Sequence, residues 1–258
     1  MTSTYAPAAH PALWRTALDI ESQSADHYKD NVNRPLLELV EGTPRRVLEL
    51  GCAMGHCGEV LKAKYPGVSV VGIDANRAAA QAAERRLDRV ICGRLEEIDF
   101  AAEGIEPRSF DVVIVADILE HLVNPWRTLE QLATGLMTPN GQLLVSLPNV
   151  RNLTLLSDAL QNGRWTYRAQ GLLDITHLRF FTFTEMRVMF EETGFRAEKF
   201  GVIISRHLNE LYNTHGKSPS ATVQFGRLTL SGVTPPELLE LCAEQFLFRC
   251  RPVSAPAS

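Results

Sequence analysis

The stretch Val47-Leu48-Glu49-Leu50-Gly51-Cys52-Ala53-Met54-Gly55-His56-Cys57-Gly58 limits the possible folds more than any other part of this chain. An apolar run meets a glycine turn and then a helix start, with an acid two residues before the first glycine. One helix and one strand further on, Val70-Val71-Gly72-Ile73-Asp74 is a second apolar run ending in an acid. Two parallel strands joined by a helix, with glycines after the first and an acid after the second, form a nucleoside site. The glycines let backbone approach the ligand, and the acid accepts hydrogen bonds from a ribose diol.

The rest of the chain continues this rhythm. Residues 32–41 read as a helix, 46–50 as a strand, 56–65 as a helix stopped by Pro66-Gly67, and 68–73 as a strand. Residues 77–87 form a helix by propensity, and Val90-Ile91-Cys92 is a short strand expected to be buried. The run Phe110–Ala116 is apolar enough for a strand covered on both faces. Pro125 opens a helix to about Leu136, Pro139-Asn140-Gly141 turns, and 142–147 is a fifth strand. Thr184 is expected to cap a helix that Gly194 ends, with strands at 195–204 and 245–251. Strands alternating with helices predict a doubly wound parallel sheet.

Two stretches break the pattern. Residues 151–182 are too long for a simple connection and read as a lid-like segment. Residues 206–240 read as an insertion between the last two strands. Residues 1–24 are expected to be a flexible lead-in, 25–251 a single domain, and 252–258 a disordered tail.

Composition narrows the partners. A formal charge of −4 and a pI near 6.0 give no electrostatic reason to expect nucleic acid. No run of about 18 apolar residues and no signal-like leader is visible, so the expectation is a cytoplasmic protein without a membrane span. The five cysteines read as small hydrophobes in a reducing compartment. The spacing of Cys52, His56 and Cys57 is wrong for a zinc pair, and no metal is expected.

Five segments in order, Val47–Gly55, Gly72-Ile73-Asp74, Ser109–Val113, Asp117–Leu122 and Gly141–Ser146, resemble class I S-adenosylmethionine-dependent methyltransferases. The resemblance covers about residues 25–205 and resumes at Gln245–Arg249. It implies a Rossmann-like doubly wound seven-stranded sheet, mostly parallel, whose last strand inserts antiparallel beside the fifth. The segment Gly171–Thr182 is similar to a branch of bacterial methyltransferases associated with polysaccharide and small-molecule biosynthesis. The implied cofactor is S-adenosylmethionine, with S-adenosylhomocysteine as product, and the implied partner is a small-molecule or saccharide acceptor.

Roles follow residue by residue. Glu49 is placed near the cationic methionine part of the cofactor. Gly51, Cys52, Ala53 and Gly55 leave it room, and Asp74 accepts from both ribose hydroxyls. Ala75 and Asn76 are expected near the adenine. Many relatives carry an adenine-binding acid where this chain has Arg94, so Leu95 and Glu96 or a backbone carbonyl are expected to take that part. Asp117 and Ile118 line the cofactor, and Tyr28 closes over it. His177 is the leading general base for a hydroxyl acceptor, with Asp174 or Arg179 orienting it or binding substrate. The alternative makes those three a strut that anchors the lid. His121 is divided between helix capping and site lining, and Trp165, Tyr167, Phe180 and Phe181 could wall the acceptor.

Two other readings compete. The glycine turn loosely imitates a dinucleotide fingerprint, which would make the protein a nicotinamide-dependent oxidoreductase; Glu49 and the Asp117–Leu122 segment argue against it. A binding module that has lost catalysis is the other. The acceptor atom, the role of residues 206–240 and the oligomeric state, a homodimer being one option, stay open at this level.

Overall fold

A computed structural model describes residues 13–22 and 32–253. Seven strands form one sheet: β1 (Arg46–Leu50), β2 (Ser69–Asp74), β3 (Arg89–Cys92), β4 (Phe110–Ala116), β5 (Met137–Pro148), β6 (Phe195–Ile204) and β9 (Ala243–Pro252). Their order is β3-β2-β1-β4-β5-β9-β6. The first five are parallel, and β9 runs antiparallel between β5 and β6. The expected sheet is therefore present, including the inserted last strand.

Alternation along the strands builds two cores. Leu48, Leu50, Val113, Val115 and Val145 face one side, against Leu129, Met186 and Phe190. Val47, Val112, Ile114 and Leu144 face the other, against Leu36, Leu61 and Leu87. Each such fully buried side chain contributes roughly 1.5–3 kcal/mol. Glu49 shares the Val47 face, so the strand's own periodicity buries a carboxylate.

The helices are α1 (Leu13–Thr16), α2 (Arg34–Leu37), α3 (His56–Lys64), α4 (Arg77–Ala83), α5 (Pro125–Gln131), α6 (Leu153–Asn162), α7 (Phe183–Glu192), α8 (Asn209–His215) and α9 (Pro235–Cys242). Several boundaries differ from the sequence reading. The helix expected over 32–41 shrinks to α2, which Asn33 caps. The helix opened by Pro125 ends in a wider π turn, Leu132–Leu136. The Pro139–Gly141 turn is a bulge inside β5, which pairs Met137 with Phe110 and resumes at Gln142. The cap of α7 is Thr182 rather than Thr184: a bridge between Phe181 and Asn149 holds the chain extended up to Thr182, whose hydroxyl accepts from the Glu185 N–H. Cys92 is exposed at the sheet edge rather than buried.

Residues 206–240 hold α8, a hairpin of β7 (Ala221–Phe225) with β8 (Leu228–Val233), and most of α9. Their apolar side chains gather with Leu153 of α6 into a third cluster of Leu208, Val223, Val233, Leu238 and Leu241. Among the described residues no helix is long and apolar enough to cross a membrane.

Candidate functional site

Strand order reverses between β1 and β4, and the crevice at their C-terminal ends opens into a cavity of about 830 Å³. The turn after β1 forms its floor. Gly51 has φ +65°, and a Cβ built on it would lie 1.9 Å from Ile118 Cδ1. Ala53, with φ +46°, takes the same left-handed region without being glycine. Its N–H is thereby aimed at Asp74 Oδ2, 2.7 Å away. Gly55 (φ +80°) starts α3.

Asp74 ends β2, and its second oxygen accepts from the Asn76 N–H at 2.8 Å. Two backbone donors fix the carboxylate, and each oxygen keeps a lone pair for the cavity. Burial raises its pKa nonetheless. Ala75 lines the cavity, whereas Asn76 turns away from it. Asn76 caps α4 through Oδ1, and its Nδ2 donates to the Ile20 carbonyl at 2.7 Å. That bond, with an ion pair from Arg94 to Glu21 at 3.0 Å, brings residues 17–21 of the expected lead-in to the cavity rim.

Glu49 is one of the buried acids of the site. Oε2 accepts from the Gly58 N–H at 3.1 Å, yet burial pushes its pKa up to about 8. A carboxylate held neutral in the free protein is poised to ionise when a cation arrives. Cys52 and Leu95 also line the cavity. Glu96 lines it too, but both of its oxygens hold the loop after β4, accepting from the N–H groups of Val123 and Asn124. Tyr28 lies outside the described residues.

Asp117 leaves β4 with φ +55°, in the left-handed region like Ala53 and Arg108. Ser146 Oγ and Gln245 Nε2 both donate to its Oδ1, at 3.0 and 2.9 Å. Gln245 comes from β9, so the inserted strand supplies one wall of the site.

The lid-like segment and the turn after β4 meet over this wall. Thr176 donates its hydroxyl to Asp174 Oδ1 at 2.7 Å, and its hydroxyl and carbonyl oxygens lie 2.9 and 3.3 Å from His121 Nδ1. A carbonyl only accepts, and the hydroxyl's proton is already given to Asp174, so Nδ1 of His121 carries the hydrogen. His177 Nδ1 likewise faces the Leu172 carbonyl at 3.3 Å. The two rings meet edge to face with centroids 4.7 Å apart. His177 Nε2 lies 3.9 Å from Glu120 Oε1, and Glu120 is 1% exposed. Glu120 Oε2 has no hydrogen-bond partner among the described residues. Burial lowers the pKa of His121 to about 4, lowers that of His177, and lifts that of Glu120 well above the usual carboxylate range.

The expected group of Asp174, His177 and Arg179 is thus divided. Asp174 and His121 line the cavity, while His177 lies behind them and outside its lining. Arg179 points outward and clamps the Val123 carbonyl at 2.6 Å. Sequence reasoning missed Glu120, Thr176 and Gln245. The pairing of Glu120 with His121 was visible in the Asp-x-x-Glu-His spacing, but Thr176 and Gln245 are brought in only by the fold. The atoms of Glu120, His121 and His177 able to hold a metal all lie within 4.8 Å of one another, in a place unrelated to Cys52, His56 and Cys57.

Comparison with known proteins gives the family and the fold. A family model described as a methyltransferase domain matches residues 21–199. The mitochondrial ubiquinone biosynthesis O-methyltransferase of Schizosaccharomyces pombe is 36% identical over 105 residues, which cover 40% of this chain and 37% of that protein. The trans-aconitate 2-methyltransferase of Methylobacterium nodulans is 32% identical over 126 residues, 47% of each chain. The chain therefore spans less than half the length of these curated relatives. The crystal structure of an S-adenosylmethionine-dependent methyltransferase from Mesorhizobium loti superposes with a TM-score of 0.53 over 84% of this chain and 96% of that one, at 14% identity.

Proposed function

Because this chain belongs to the methyltransferase domain family, with the class I S-adenosylmethionine-dependent fold, we propose that it transfers a methyl group from S-adenosylmethionine to a hydroxyl or amine of a small molecule or saccharide. The observation that carries the reading is the shape and charge of the crevice. A Cβ at Gly51 would collide with Ile118 on the cavity wall, Asp74 offers two fixed acceptors into the crevice, and the Glu49 carboxyl lines it. A nucleoside with a ribose diol and a cationic amino-acid tail fits that donor set. S-adenosylmethionine brings an activated methyl group on a positive sulfur. The chain's own residues bind and orient it, and the 169–176 stretch lets Ala169, Gln170, Asp174 and Thr176 cover the reacting end and exclude water.

The two curated relatives named above carry methyltransferase names, one for an O-methyltransferase and one for a trans-aconitate methyltransferase, which supports a small acceptor. Trp165 and Tyr167 stay exposed, and Trp165 rests edge-on against Phe180 at 5.6 Å. These aromatics lie outside the cavity lining, and Phe181 is buried in the core, so they do not wall the acceptor in this arrangement.

The test is calorimetric binding of S-adenosylhomocysteine, alongside transfer of labelled methyl from S-adenosylmethionine into fractionated cell extract. Asp74→Ala is expected to weaken binding at least tenfold, about 1.4 kcal/mol, and to abolish labelling of the small-molecule fraction. Label confined to protein or RNA would refute the acceptor class. Binding of a nicotinamide dinucleotide in place of S-adenosylhomocysteine would refute the chemistry.

A further inference from the structure

We propose that Glu120, His121 and His177 bind one divalent first-row transition metal ion, zinc included, at the cavity wall, where it holds the acceptor oxygen. Three observations carry this. Their candidate ligand atoms lie within 4.8 Å of one another, and His177 Nε2 is 3.9 Å from Glu120 Oε1. Ligands bonded at about 2.0–2.2 Å stand roughly 3–4 Å apart, so small side-chain rotations close the site. Both rings are also oriented for the task. Thr176 and the Leu172 carbonyl take the Nδ1 side of His121 and His177, leaving each Nε2 lone pair available. Partners of this kind fix the tautomer of a ligating histidine. Finally, the buried Glu120 has an oxygen with no partner among the described residues, which a cation satisfies.

Two imidazoles and one carboxylate favour a transition metal over magnesium, which prefers an all-oxygen shell. Three protein ligands leave a fourth position open. His121, Asp174 and Asp117 line the cavity while Glu120 and His177 stand behind, so the open position faces the reacting groups. This part of the proposal rests on the methyl-transfer reading; metal binding itself does not. An acceptor hydroxyl in that position loses its proton to solvent more easily. Its oxygen lone pair then forms the C–O bond as the C–S bond breaks and returns its electrons to sulfur. The balance is one proton released, with no oxidant or reductant.

The experiment is titration of the chelator-treated full chain with Co²⁺, followed by visible absorption, with metal content of the purified protein measured in parallel. One equivalent of Co²⁺ bound with intense four- or five-coordinate bands is expected. Glu120→Gln, which preserves volume, and His177→Ala are each expected to weaken it at least tenfold. Added azide should shift the bands if a position is open, and unshifted bands overturn the acceptor role. No Co²⁺ binding by the intact chain, or equal binding by both variants, overturns the site. Circular dichroism verifies that the variants fold, and Glu120→Gln decides the matter if His177→Ala does not. S-adenosylhomocysteine binding is measured on the same samples. Nucleoside binding without metal refutes this proposal and leaves the methyl-transfer reading standing; metal without nucleoside does the reverse.

Discussion

At the scale of single residues, Glu49 carries its carboxyl group in an unusual place. Strand alternation puts it on the same face as Val47, and hydrogen bonds from the Gly58 N–H and the Cys57 thiol do not offset its loss of water. Its pKa rises from 4.5 to about 8 in the folded chain. In the unfolded chain it ionises near the ordinary value. The folded state therefore binds more protons between those two values, and stability contributed by this group is present below about pH 4.5 and declines as pH rises through 8. Glu49→Gln removes that decline. Thermal unfolding of the free protein from pH 5 to 8 is expected to show the wild type losing Tm relative to the variant. Binding tells the same story from the other side. A cationic ligand ionises Glu49, so S-adenosylmethionine should release about one proton at pH 7. Calorimetry in two buffers of different ionisation enthalpy measures it, and Glu49→Gln should bring the release near zero. Equal release by both proteins would place the cationic part of the ligand elsewhere.

At the scale of elements, α4 shows how a cap can serve a site. Asn76 caps the helix through Oδ1 and holds the Ile20 carbonyl through Nδ2, so one side chain orders both the helix start and the rim segment. Asn76→Ala is expected to cost about 1–2 kcal/mol from the cap and the lost buried bond. It should also speed proteolysis within residues 13–22, while Asn76→Asp keeps the cap and loses the amide donor to Ile20. Limited proteolysis of the two variants separates these effects; identical cleavage of both and the wild type would show that this bond is not what holds the rim. Sequence reasoning had assigned Asn76 to the adenine, because position after an acid is legible and side-chain direction is not. The same limit explains the other departures. β1, β2 and β4 are legible from nearly continuous apolar runs, and Asp74 from its place at a strand end. The Thr182 cap depends on the Asn149–Phe181 bridge, a contact between residues 32 apart. No local pattern encodes it. The partners of Asp117 come from β5 and β9, and His177 is drawn behind Asp174 by a bend that only the folded segment defines.

At the scale of the molecule, two of the three apolar clusters flank the sheet, and the third lies beneath the insertion. The cavity draws its lining from the ends of β1, β2 and β4, from the rim segment and from the lid; of the strands around the insertion, only Ile203 and Gln245 reach it. Loss of packing inside the third cluster should therefore loosen the insertion without opening the cavity. Leu238 is 1% exposed at the centre of that cluster, and truncating such a residue costs about 2–5 kcal/mol. The cost is expected to appear as a local opening of β7, β8 and α9, because a small separate core is the part of a domain that opens first. Two buried asparagines oppose that opening. Asn149 donates to the Glu240 and Ala243 carbonyls at 2.7 and 3.0 Å, and Asn152 donates to the Ala243 carbonyl at 2.9 Å. They pin the end of α9 to the sheet, so the opening should stop before β9. Hydrogen exchange of Leu238→Ala is expected to show faster exchange across residues 221–238, unchanged protection in β1 and β4, and S-adenosylhomocysteine affinity within about twofold of wild type, a change of roughly 0.4 kcal/mol. A parallel loss of protection in β9 and of affinity would mean that the insertion and the sheet unfold as one unit, and that Gln245 transmits the loss to Asp117.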